Sequence, residues 1–309
     1  MTSTCSESAG DRSPLMVRLL EPADTVPLSA LPAGWFHQRV EVLVADRAAA
    51  AADPALTGRL RGAWGRALMR GASDPALAGR PCRWEPPCAF DPLFREQGRI
   101  TTRLSIPRPY VLAARPMGGD LLVVLTVFGF ACDWIEAAAD ALVAGLRHGE
   151  PAPLGGPATL LGRRLVTADT VTVPAAETGP ALLTFHTPVA FRDGNDLRFP
   201  GLRTLVSSLG NRVSGLARWQ DTAVATDWKT IAEHAETLTL EGDLTERRWQ
   251  RRSNRQDGRA IPLGGWLGRL VIGGDLAPIL PLLALGTTCH AGSHTTLGLG
   301  ACTLTMAAG

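Results

Sequence analysis

The chain has 309 residues, of which 45% are hydrophobic and 19% charged, with a formal net charge of +2 at pH 7. That composition excludes a disordered chain, and it neither demands nor forbids a nucleic-acid partner, which local charge clustering must decide. The length favours two domains, and Lys229 is the only lysine, so arginine carries nearly all the positive charge.

A GC-rich genome accounts for that arginine bias, and for the Ala and Gly content. Whatever its origin, the guanidinium fork pairs bidentately with phosphate and stacks on bases. Cys5, Cys82, Cys88, Cys132, Cys289 and Cys302 form no CxxC pair. No basic-then-apolar leader is visible, and no apolar run reaches the roughly 20 residues of a membrane span. The expectation is a cytoplasmic protein without a membrane partner.

Met1–Pro14 is small and polar and is expected to be loose. Phe36–Ala45 reads as a first strand, with Val40, Val42 and Val44 alternating against Glu41, Leu43 and Ala45. Pro54 opens a helix through Leu56, Leu60, Trp64, Ala67 and Leu68, with Gly71 past its end. Gly79–Pro109, rich in Pro and Arg, is expected to be irregular. Tyr110–Ala114 and Asp120–Phe128 predict a hairpin, Asp133 a helix cap, and Thr159–Val166 another strand.

Gly149–Pro157 is the best linker, which divides the chain into domains at 1–157 and 158–309. The same order of elements then repeats. Leu182–Phe191 reads as a strand, Gly201–Trp219 as an amphipathic helix, and Leu238–Arg251 and Leu263–Ile272 as strands. A helix over Leu276–Leu285 and a strand over Leu297–Met306 close the chain. Two successive βαββαβ units predict an α+β fold of tandem ferredoxin-like (RRM-like) domains with antiparallel sheets.

The segment Gly286–Gly300 carries glycines at 286, 292, 298 and 300. Successive amide N–H groups there suit a phosphate, and the plain alternative is a turn between helix and strand. It is neither a dinucleotide fingerprint nor a P-loop, since the strand–GxGxxG–helix order and a following Gly-Lys-Ser/Thr are both missing. The richest basic run, Arg247-Arg-Trp-Gln-Arg-Arg-Ser-Asn-Arg255, interleaves arginine with Trp249. It fits phosphate contact plus base stacking, against the alternative of a solvated hairpin. Arg59, Arg66 and Arg70 on the first helix read as an ordinary solvated face. Cys82 and Cys88 would need two more ligands to hold zinc, and no Asp/Glu cluster has metal-ligand spacing, so neither a metal site nor a cofactor is expected.

His290-Ala-Gly-Ser-His294 followed by Thr-Thr-Leu-Gly298-Leu-Gly300 resembles the C-terminal glycine-rich loop of the CRISPR precursor-RNA processing endoribonucleases of the RAMP superfamily. Thr187–Gly194, Ser253–Gln256, Leu263–Gly268 and Gly273–Gly286 resemble that family's preceding segments, in its order. Two positions depart from the pattern. Ser293 stands where the family often has lysine, and Ala301 where it often has an aromatic residue.

The resemblance implies metal-free cleavage of the repeat RNA by an adjacent 2′-hydroxyl, leaving 2′,3′-cyclic phosphate and 5′-hydroxyl ends. It implies as partners a precursor CRISPR RNA repeat hairpin and further CRISPR effector-complex subunits. Histidine suits the proton transfers, and the candidates are His37 first and His290 second. The candidate RNA contacts are Arg247, Arg248, Arg251, Arg252, Arg255, Gly292, Ser293, His294, Gly298 and Gly300. A catalytically silent RNA-binding subunit on the same fold is the alternative. A small-molecule enzyme is a remoter one that would need convergent acids in a pocket.

Overall fold

Valines at every second position make Val40, Val42 and Val44 one buried face of the strand His37–Val44. The computed structural model describes residues 13–102, 104–175, 179–191, 199–252 and 260–307, with only the backbone described at 251, 252 and 260–262.

In chain order the elements are α1 (Pro14–Leu20), β1 (Asp24–Pro27), β2 (His37–Val44), α2 (Leu56–Met69), α3 (Asp74–Leu77), α4 (Phe90–Phe94), β3 (Tyr110–Met117), β4 (Asp120–Phe128), α5 (Ile135–His148) and β5 (Leu160–Ala168). There follow β6 (Ala181–Val189), α6 (Leu202–Ala217), β7 (Thr222–Ala225), α7 (Trp228–Thr237), β8 (Thr239–Arg252), β9 (Ala260–Gly273), α8 (Leu280–Cys289) and β10 (Cys302–Met306).

Two antiparallel four-stranded sheets form, in the orders β3-β4-β2-β5 and β10-β6-β9-β8. Numbered within its own unit, each runs 2-3-1-4 or its reverse, the pairing of a ferredoxin-like βαββαβ unit. The fold is therefore the expected α+β class. Helices α2 and α5 pack on the first sheet, and Trp64 Nε1 ties them by donating to the Ala138 carbonyl at 2.9 Å. A Cβ at Gly145 would sit 3.0 Å from the Ala63 and Trp64 backbone, so glycine sets how closely these helices cross.

Sheet membership can be compared with the expected division at 157/158. The expected linker Gly149–Pro157 connects α5 to β5, and β5 pairs with β2 along its whole length. The change from one sheet to the other falls between Ala168 and Ala181.

Three expectations need correction, and a fourth falls mostly outside the described residues. The cap expected from Asp133 does not form, because a 3-10 turn over Gly129–Trp134 precedes α5 and Trp134 takes the cap position. Helix α8 begins at Leu280 rather than Leu276. Asp275 first closes a turn onto the Ala277 amide, and Pro281 enters the first helical turn, where its missing N–H is not needed. The last strand starts at Cys302 rather than Leu297, since Gly298 (φ 83°) and Gly300 (φ 72°) are left-handed. The looseness expected over Met1–Pro14 lies outside the described residues up to 12, and Ser13 and Pro14 already belong to the capped start of α1.

Sequence reading missed α1, β1, α3, β7 and α7, and also α4, which lies inside the stretch Gly79–Pro109 expected to be irregular. Strands β1 and β7 form a parallel ladder from Asp24↔Thr222 to Pro27↔Ala225, joining the N-terminal arm to the second unit. Asp227 caps α7 by accepting from the Lys229 and Thr230 amides. No helix among the described residues is long and apolar enough to cross a membrane.

Candidate nucleic-acid interface

The glycine-rich segment leaves α8 through His290 at φ 62° and turns back on itself. The Ala291 amide donates to the Gly300 carbonyl at 2.9 Å, closing the loop. A Cβ at Gly300 would fall 1.8 Å from the Ala291 carbonyl oxygen, so no other residue fits there. The loop then seats on both domains. Thr57 of α2 donates its hydroxyl to the Leu297 carbonyl, and Thr187 donates to Gly298 O at 2.7 Å.

These bonds correct the expected phosphate cradle. The amides of Ser293, Gly298 and Gly300 donate to Ala190 O (2.7 Å), Thr295 O (2.9 Å) and Pro188 O (3.0 Å). They do not form a row of free donors, because the loop uses them to fix its own shape. Gly298 and Gly300 are buried, Gly292 and Ser293 half-buried, and His294 exposed. What the loop offers outward is the stretch around Gly292, Ser293 and His294.

The arginine-rich hairpin reaches the same place. Arg247 and Arg248 are exposed on β8, and Arg248 pairs locally with Glu246 at 2.6 Å. Trp249, opposite Leu263 in the ladder, lines a narrow crevice with Leu297, Leu299 and the start of α2 at Pro54, Ala55 and Gly58. The hairpin, the glycine-rich segment and the start of α2 therefore converge. Arg251 and Arg252 continue β8 in backbone, but their side chains lie outside the described residues, as do Arg255, the whole Ser253–Gln256 motif and the 192–194 part of Thr187–Gly194.

The two candidate histidines are buried and lie in different settings. His37 opens β2 between Phe128 and Ala168, its Nδ1 3.0 Å from the Trp35 carbonyl. Burial lowers its pKa against the pull of that carbonyl, and Arg39 adds to the lowering. His290 Nδ1 lies 3.2 Å from the Leu299 carbonyl. Burial, then the Arg212 charge, lowers its pKa to about 3, opposed by the Leu299 carbonyl. Burial disfavours the charged form of both imidazoles, and no hydrogen bond or ring contact joins them among the described residues.

A group of arginines that sequence reading missed acts on Tyr110, and one of them, Arg212, also acts on His290. Arg61, not the Arg59/Arg66/Arg70 face, is the α2 arginine that donates to Tyr110 Oη, at 2.8 Å. Burial pushes the Tyr110 hydroxyl up while Arg61, Arg108 and Arg212 pull it down. Arg212 donates from Nε to the Cys289 carbonyl, and its Nη2 is buried without a hydrogen-bond partner. A signal for it existed: Arg212 sits three residues after Leu209 and four before Leu216, on the apolar stripe of α6. Among the described residues no group of three or more His, Cys, Asp and Glu is placed to hold a metal ion.

No curated protein matches the chain. The family model of the CRISPR-associated endoribonuclease Cas6 matches residues 183–302, which hold β6, the arginine-rich hairpin and the glycine-rich segment. Among solved structures, one Cas6 product complex superposes with a TM-score of 0.52 at 17% identity, covering 87% of this chain and 100% of its own. A second Cas6 product complex gives 0.51 at 16%, covering 87% and 99%. In sequence over its second unit, and in fold over most of its length, this chain resembles the Cas6 family.

Proposed function

We propose that this chain is a cytoplasmic CRISPR-associated endoribonuclease that binds precursor CRISPR RNA and cuts it within the repeat hairpin. The observation that carries this reading is the convergence of the hairpin and the glycine-rich segment on one crevice, within the residues that match the Cas6 family. Arg247 and Arg248 neutralise phosphates, while Trp249 gives a face for stacking beside Leu297 and Leu299. His294 and Ser293 stand at the rim of the loop, where the RNA backbone would pass.

Cleavage on this reading needs no metal. The 2′-hydroxyl beside the scissile phosphate attacks it, and the enzyme positions that attack and moves a proton from the hydroxyl to the leaving oxygen. A neutral imidazole is the form that accepts a proton, and burial favours that form at both His37 and His290. The test is incubation of the purified chain with its repeat RNA in EDTA. A 2′,3′-cyclic phosphate end supports the proposal, and a 2′-deoxy residue at the cleavage site should abolish cutting. Cutting that survives the deoxy substitution sinks the mechanism.

The burial of both histidines and Ser293 in place of lysine favour a second reading, a catalytically silent RNA-binding subunit of a CRISPR effector complex. Tight binding of the repeat with no cut under any condition would select it.

A further inference from the structure

Residues 83–86 are exposed, and the flanking Cys82 and Cys88 turn inward onto the single small cluster they form with Ala76, Ala72 and Phe90. The two thiols share one hydroxyl. Ser73 Oγ donates to Cys82 Sγ at 3.0 Å and lies 3.8 Å from Cys88 Sγ. The Cys88 amide also donates to Cys82 Sγ, at 3.3 Å, so the sulfur of one cysteine rests against the backbone of the other. Asp91 anchors the arrangement by accepting from the Cys82 amide at 2.5 Å, and Arg95 and Gln97 hold that carboxylate in turn.

This setting differs from that of the other described cysteines. Burial works to raise the Cys82 thiol but is outweighed by the donors aimed at its sulfur, from the Cys88 amide, Ser73 and the Trp84 amide, so it lies below its ordinary value. Burial instead pushes Cys132 up to about 12 and Cys289 up to about 11, and raises Cys302 as well. Those thiols donate to backbone carbonyls, Cys132 to Val127 at 3.2 Å, Cys289 to His290 at 3.8 Å and Cys302 to Gly286 at 3.6 Å. Cys82 instead accepts from the Ser73 hydroxyl and the Cys88 amide, with the Cys88 thiol sharing that hydroxyl and the exposed residues 83–86 running between the two cysteines.

We propose that Cys82 and Cys88 are a peroxide-oxidisable pair that closes a reversible disulfide across the 82–88 loop. The Cys82 thiolate attacks one oxygen of the peroxide, the O–O bond breaks, and the departing oxygen leaves as water after taking up protons, giving a sulfenic acid on Cys82. The Cys88 sulfur then attacks the Cys82 sulfur, the S–O bond breaks, and the hydroxyl leaves as a second water with the Cys88 proton. The thiol pair loses two electrons and the peroxide gains them. This inference is independent of the RNA reading.

The experiment is peptide mapping of the full chain after dilute hydrogen peroxide. The expected result is a cross-link between the Cys82 and Cys88 peptides, lighter by about 2 Da than the two thiols and reversed by dithiothreitol. Peptides holding Cys132, Cys289 and Cys302 should stay reduced at the same dose. In Cys88→Ser, Cys82 should be trapped as a sulfenic acid that a dimedone probe labels. The inference is overturned if Cys82 runs on to sulfinic acid while Cys88 remains a free thiol. It is equally overturned if Cys82 reacts no faster than Cys132, or if the two thiols prove to be blocked by a co-purifying zinc ion.

Discussion

Arg212 Nε donates to the carbonyl of Cys289 at 2.5 Å, which places a buried guanidinium at the C-terminal end of α8, one residue before His290. A cation there satisfies a helix-end carbonyl and meets the negative end of the helix dipole. Its cost is a charge far from water, which burial expresses as a lowered pKa for Arg212 itself. Arg212→Met should keep the volume and lose the bond. The expected loss is about 1.5–3 kcal/mol of unfolding free energy in urea titration. The same variant should raise the His290 pKa, since a repelling positive charge has gone, and histidine NMR titration reads that change directly.

His290 also makes stability depend on pH in a defined direction. Its folded pKa of about 3 lies below the ordinary 6.5, so between those values the unfolded chain binds more protons than the folded one. Stability is therefore retained above about pH 6.5 and falls as pH drops, by up to about 1.4 kcal/mol per pH unit for each such histidine. His37, also lowered, adds to the same trend. Melting temperatures from pH 7.5 to 5 should decline, and His290→Asn should flatten the slope. An unchanged slope would mean His290 titrates normally.

Gly298 joins the domains at a point that tolerates no side chain. At φ 83°, an added Cβ would fall 2.7 Å from Thr57 Cγ2 and 2.8 Å from the Leu112 carbonyl oxygen. Gly298→Ala should cost about 2–4 kcal/mol, from backbone strain plus overpacking. Gly118 has a similar φ of 63° and nothing within 4 Å, so Gly118→Ala should cost only about 1 kcal/mol. Equal midpoints for the two variants would mean that the contact with α2 and β3 is not made.

On the RNA reading, Arg247→Ala and Arg248→Ala should each weaken repeat-RNA binding and lower the slope of log affinity against log salt by about 0.7 per lost phosphate contact. Trp249→Ala should cost about 1–3 kcal/mol of binding with little change in that slope, since stacking releases no counterions. Filter binding across a salt series separates the two effects. His37→Ala and His290→Ala, compared for cutting and binding, show which imidazole moves the proton.

Much of the architecture was legible because the strands obey a simple alternation, as β2 does through Val40, Val42 and Val44. Hairpin β3–β4 announced itself through the turn at Gly118-Gly119. What escaped notice depends on distant partners. Strand β1 is four residues long, with only Val26 apart from exposed positions, and nothing local marks it as a strand. The glycine-rich segment was legible as a motif but not in its chemistry, because glycine content cannot tell which carbonyls the amides will meet. Arg212 was hidden for the opposite reason: arginine on a helix reads as solvated unless its place on the apolar stripe is weighed against its charge.

The ladder between β1 and β7 has a consequence for biogenesis. The Leu28 amide reaches the Thr226 hydroxyl across 198 positions of sequence, and the Ala23 amide reaches Asp221 across the same separation. The opening arm of the chain leaves the ribosome long before its docking groove has been synthesised. Until then α1 and β1 have no second unit to rest on, although the first sheet already has every strand it needs. Order of synthesis makes the arm the last piece to engage, and a nascent chain arrested before residue 222 should display it to proteases and chaperones.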